Sequence, residues 1–248
     1  MSRALPVIVL AACGAQPVDE PITGFITENQ TWSGDRTIAD FVTIDRDATV
    51  TVAAGTQLHA LTASAIEVDG ALVFEGTPEQ TIELSSLADE LWLGISVAGE
   101  LEMHYVDQRG GGVSTIAGDA KVTIADSRLA SALGDLIVVD GGSVDISYSD
   151  IGIAEGDHTH CNLHLNSVQA FRFTHNNNVG VSYGLMLYGG QGDFSHNNWM
   201  HNLIDIEPEP GGTGSFDDSY FARGQPPGVA GSTFANMASE PLADCGRR

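Results

Sequence analysis

Basic residues are scarce in this chain: Lys121 is its one lysine, and Lys and Arg together number 10 against 33 Asp and Glu, a formal net charge of −23. A nucleic-acid partner is excluded on that ground, because binding a phosphate backbone requires a cationic track that displaces counterions. Polyuronates are disfavoured in the same way. A lyase acting on such a polyanion would need bound calcium with Arg or Lys beside it, and Arg109, Arg128, Arg172 and Arg223 fall in different repeats of the chain. Cysteine is nearly absent as well, with 3 in 248 residues, and no spacing among them suits a zinc ribbon. No stretch carries an amphipathic 3.6-residue period, and glycine and β-branched residues interrupt every window long enough for a helix. No phosphate loop, dinucleotide fingerprint or Ser-His-Asp signature occurs; Gly110-Gly111-Gly112 is followed by no Lys-Ser/Thr and opens no helix, so it reads as a corner.

What the chain does contain is repetition. Phe171-Arg172-Phe173-Thr174-His175-Asn176-Asn177-Asn178 recurs as Gly192-Asp193-Phe194-Ser195-His196-Asn197-Asn198-Trp199, a displacement of 21 residues. The same apolar anchor followed by small or polar residues stands at Met103, Ile124, Ile146, Phe173, Phe194 and Phe216, at intervals of 21, 22, 27, 21 and 22. Recurrence at that spacing is what the coils of a solenoid leave in a sequence. The one long interval contains Glu155-Gly156-Asp157-His158-Thr159-His160, a polar loop that can bulge without disturbing the stack. Within a coil the apolar residues alternate, as in Val122 and Ile124, Val144 and Ile146, and Phe171 and Phe173, which is the period of a strand with one buried face. A second apolar run precedes the anchor in most coils, as in Leu136-Ile137-Val138-Val139 and Leu185-Met186-Leu187. The expectation is an all-β, single-stranded, right-handed parallel β-helix solenoid with coils of about 21–22 residues and one longer coil near 151–165.

Register then assigns roles. Phe173 over Phe194, and Asn176 and Asn177 over Asn197 and Asn198, form a structural ladder, with the asparagines at a sharp corner where αL geometry suits them. His175 above His196 brings two imidazoles within ligating reach of a metal, Zn or Cu, with Asp150 or Asp157 as a carboxylate partner; His158, His160, His164 and His201 lie in the same His-rich stretch. The plainer reading of these histidines is as stacked, solvated neighbours needing no cofactor. Tyr148, Tyr183, Tyr188, Trp199 and Tyr220 recur along successive coils and offer a platform for stacking sugars. Asp126, Asp150, Asp193, Asp217 and Asp218 contain carboxylate pairs of the kind glycoside hydrolysis uses, as any acidic sequence does.

From Gln30 to Ile95 the chain resembles the opening of secreted bacterial right-handed parallel β-helix proteins of the pectate-lyase-like scaffold. The residues that carry the resemblance are Val50-Thr51-Val52-Ala53-Ala54-Gly55-Thr56, Val68-Asp69-Gly70-Ala71-Leu72 and Trp92-Leu93-Gly94-Ile95; Gln80-Thr81-Ile82 departs from the Pro-Ile that such proteins place there. The scaffold serves lyases, hydrolases, adhesins and inert proteins, so it implies a fold and no activity. At the N-terminus, Arg3, the apolar Ala4–Leu10 and then Leu10-Ala11-Ala12-Cys13 resemble a bacterial lipoprotein signal peptide. That resemblance implies cleavage after residue 12, lipidation of Cys13 and, with Gly14 following, sorting to the outer membrane. The organisation expected is a signal peptide over 1–12, a tether over 13–27, the solenoid over 28–222 and a C-terminal tail over 223–248 that packs back on it. Export leaves Cys161 and Cys245 as an even pair, either bridged as a disulfide or free. The functional expectation is a cell-envelope lipoprotein that binds a glycan or an envelope protein on a rigid face without catalysis; the alternative is a metal-dependent or carbohydrate-active enzyme in the His-rich coils.

Overall fold

In a computed structural model of the chain, residues 20–86, 90–152 and 159–248 are described. The expected signal peptide, Cys13 and the tether as far as residue 19 lie outside them, as do Asp157 and His158. The described residues are all-β, with no helix and 26 strands, and every strand pairing is parallel. The chain winds as a β-solenoid of about nine turns with three faces. The first face is a nine-stranded sheet from Gln30–Trp32 to Gly212–Ser215. The second and third belong to one 17-stranded sheet whose two flanks share the long strand Asp35–Ile44, which pairs with Gln57–Ala60 through its first half and with Ala65–Val68 through its second.

The coil-to-coil register follows the sequence intervals. Met103 pairs with Ile124, Ile124 with Ile146 and Ile146 with Phe173. The pairings Arg172↔Asp193 and Asp193↔Ser215 carry the column on through Phe194 to Phe216. All six anchors are fully buried. Phe194 stacks on Phe216 at 4.9 Å between ring centroids, while the Phe173 ring turns to Trp199 at 5.8 Å. Gly192 and Gly214 make room for this, since a Cβ at either would sit 2.6 or 2.5 Å from the Phe194 ring. Each buried Val, Leu, Ile or Phe contributes about 1.5–3 kcal/mol, against about 1 kcal/mol for a hydrogen bond. The apolar column therefore drives the stacking, and polar ladders fix its register.

Two boundaries differ from the sequence expectation. Ile22–Ile26 is already a strand, paired with Asp35–Ile44 and burying Ile22 and Ile26, so the solenoid begins six residues before residue 28. The expected tether over 13–27 is shortened accordingly. At the other end, bridges Ser215↔Thr233 and Tyr220↔Ala238 continue the winding past Phe221. Phe234 stacks on Phe216 at 5.0 Å and covers the end of the core.

Candidate functional site

Three positions after each anchor generate the features of the corner between the first and second faces. The residue two past the anchor, Tyr105, Asp126, Tyr148, His175, His196 or Asp218, has a positive φ of 49–61° in every coil. The residue three past it, Val106, Ser127, Ser149, Asn176, Asn197 or Ser219, points inward and is fully buried. From Ser127 onward each side chain in this inner column accepts from the backbone N–H of the coil before, at 2.8 to 3.2 Å. The left-handed residues are thus the histidines, tyrosines and aspartates, and the asparagines expected to bend the chain here form the inner ladder instead. The αL backbone throws each side chain outward, one above another, as a continuous external column.

In that column His175 lies between Tyr148 (4.7 Å, stacked) and His196 (4.3 Å between ring centroids). Burial first, and the neighbouring His196 second, push the His175 pKa below its ordinary value. Its Nδ1 is enclosed and has no hydrogen-bond partner.

The C-terminal segment runs back along this corner. Leu242 and Asn198 exchange two hydrogen bonds, at 2.8 and 3.0 Å. Asp244 meets His196 Nε2 at 3.0 Å, and the Gly246 N–H donates to the His175 carbonyl at 2.8 Å. Arg247 donates to Asp107 and Thr81, and Arg248 forks onto both oxygens of Asp126 with its guanidinium 3.6 Å from the Tyr148 ring centre. The hydrogen bond from His196 holds the Asp244 carboxyl below the usual range, and that with Asp126 raises Arg248.

Four residues past the anchor, the outward column of the second face reads Asp107, Arg128, Asp150, Asn177, Asn198 and Tyr220, continuous with Glu83 before it. Its first half lines a groove of about 400 Å³ with Glu83, Ser85, Asp107, Arg109, Arg128 and Asp150 around a floor of Ala130 and Gly152. Separate repeats therefore bring Arg109 and Arg128 together, with acidic residues beside them. Arg128 pairs with Asp150 at 3.2 Å, and Asn177 donates to the same carboxylate at 2.8 Å.

The remaining candidates scatter. On the third face His160 and His164 share Asp135 at 2.9 and 2.5 Å, backed by Tyr183 and Tyr188 at 5.0 and 5.1 Å between rings. His201 is exposed at a different corner. The five aromatic residues expected to form one platform do not: Tyr148 is on the corner column, Tyr183 and Tyr188 are on the third face, and Tyr220 is on the second. Trp199 is fully buried and stacks on Phe221 at 5.7 Å, so it is a core residue and cannot contact a ligand. Of the candidate carboxylates, Asp126 and Asp150 are in ion pairs, Asp193 accepts from Ser195, and Asp217 accepts from the Ala235 N–H. The expected Cys161–Cys245 bridge is not formed. Cys161 is buried on the third face, in register with Asp135 and Tyr183 and with Sγ on the Leu163 carbonyl, whereas Cys245 sits at the corner, with Sγ on the His196 carbonyl. Burial pushes both thiols up to about 12, which removes them as nucleophiles at neutral pH.

Sequence reasoning missed Asp244, Asp135 and the arginine groove. The groove had a usable signal, the alternation Asp107, Arg128, Asp150 at one repeat position; Asp244 had none, lying 48 residues from its partner. Comparison with protein-family models, curated proteins and solved structures finds no match to this chain.

Proposed function

We propose that the chain is an exported, lipid-anchored envelope protein whose solenoid binds a neutral glycan in the groove of the second face without turning it over. The observation that carries this reading is the groove itself, where guanidinium donors and carboxylate acceptors alternate in register over a floor of small side chains. Sugar hydroxyls both donate and accept, so a fixed array of both kinds suits them. A polyanion would meet Glu83, Asp107 and Asp150 as like charges. The carboxylates engaged with Arg128 and Arg247 are spent on ion pairs, an arrangement suited to holding a ligand rather than to exchanging protons with it.

The binding role is tested by calorimetry against a panel of neutral oligosaccharides. Binding by the native chain is expected to weaken at least about 10-fold in Arg128→Ala and in Asp150→Ala, each of which removes a charged hydrogen-bonding partner. Equal affinity in both variants, or release of shortened sugars, would refute the reading. The anchor rests on the signal-like N-terminus and is tested separately. Cys13→Ser should move the protein from the membrane to the soluble fraction, and an unchanged distribution would remove the lipid from the account.

A further inference from the structure

We propose that His175, His196 and Asp244 form a zinc site that fastens the C-terminal segment to the wall of the solenoid. Their ligand atoms all lie within 4.8 Å of one another. Two successive coils supply the imidazoles through the same αL position, which holds the rings 4.3 Å apart and facing outward. The carboxylate comes from outside the solenoid, on the segment that runs back along the corner. His175 Nδ1 is the independent pointer, because an enclosed imidazole nitrogen without a partner is a costly feature that a ligand would relieve.

Two nitrogens and one oxygen suit Zn²⁺ with a fourth position left to water, and imidazole argues against Ca²⁺ or Mg²⁺, which take oxygen donors. Tetrahedral zinc with bonds of about 2.0–2.1 Å sets its ligands about 3.4 Å apart, so a small closure is needed. Asp244 is able to supply it, with its side chain 64% exposed. The Asp135, His160 and His164 cluster is the rival location. There the carboxylate already lies between two imidazoles as their shared hydrogen-bond partner, so a metal would have to displace two bonds, whereas at the corner only the bond between His196 and Asp244 would open.

The consequence is positional. Closing the site would hold Leu242–Arg248 down beside the groove, because Arg247 reaches Asp107 and Arg248 reaches Asp126 from the same segment. Gly246 is what allows so close an approach: it has φ +88°, and a Cβ there would lie 2.3 Å from Asn177 Nδ2 and 2.5 Å from Asp150 Oδ1.

The test titrates ZnCl₂ into the full-length chain, made without an affinity tag, by calorimetry and follows amide exchange across residues 242–248. One zinc per chain is expected, with exchange in that segment slowed at least about 10-fold. Asp244→Asn and His196→Asn should each weaken binding at least about 10-fold, the asparagine at 196 preserving the left-handed backbone. Gly246→Ala, which leaves every ligand in place, should weaken it too by lifting the segment. Cys245→Ser and His164→Ala should bind as the native chain does. Absence of zinc uptake, uptake that survives both Asp244→Asn and His196→Asn, or uptake with unchanged exchange over 242–248 would overturn the proposal.

Discussion

Asn197 shows how much register one side chain can enforce. Its Oδ1 accepts from the Asn176 N–H at 2.8 Å, and its Nδ2 donates to the carbonyls of Phe173, Phe194 and Ser195 at 2.6, 2.8 and 3.0 Å. All of these groups are at a buried corner, where an unpartnered backbone N–H or C=O costs about 1–3 kcal/mol. Asn197→Ala should therefore destabilise the chain by about 3 kcal/mol, read as a lower urea midpoint. Asn197→Ser should cost only about 1 kcal/mol, because serine performs the same duty one coil apart at Ser127 and Ser149, each accepting from the coil before and donating to the carbonyl two residues back. Equal losses in the two variants would show that a serine hydroxyl does not stand in for the amide at this corner, and a negligible loss in Asn197→Ala would show that the ladder is dispensable.

At the level of strands and corners, the anchors were legible because a solenoid repeats its environment. A position buried in one coil is buried in the next, so Met103, Ile124, Ile146 and Phe173 advertise one column without any knowledge of the fold. The same logic, pressed further, would have placed Trp199: Asn177 and Asn198 pair on the outside of the second face, so Asn178 and Trp199, one residue on, must point inward. Treating aromatic residues as a surface set ignored that alternation. The αL bend was displaced by one residue for a different reason. Asn satisfies both a left-handed backbone and an inward amide ladder, and the buried hydrogen bonds of the ladder outweigh the modest backbone preference that tyrosine and histidine can forgo. The C-terminal segment was illegible in its particulars, since Asp244, Arg247 and Arg248 meet partners 48, 140 and 122 residues away with no period to betray them.

For the whole molecule, charge is the dominant unbalanced quantity. Parallel stacking sets equivalent positions about 4.8 Å apart, so an acidic repeat position confronts its own copy, as Glu83 does Asp107. Arg247 offsets that pair by reaching Asp107 from the returning segment, and Arg248 does the same for Asp126. Ten cations cannot do so for 33 carboxylates, and the remainder repel one another across the coils. Surface ion pairs such as Arg172 with Asp145, at 3.2 Å, are worth under about 1 kcal/mol each, so their loss on screening is the smaller effect. Raising KCl from 0.01 to 0.15 M shortens the screening length from about 30 to about 8 Å. It should stabilise the chain by on the order of 1 kcal/mol, seen as a higher urea midpoint. Glu83→Gln should raise the midpoint at low salt and blunt its rise with KCl. A midpoint that falls with added salt would mean that the cross-coil ion pairs, and not the excess carboxylates, govern the electrostatics of the solenoid.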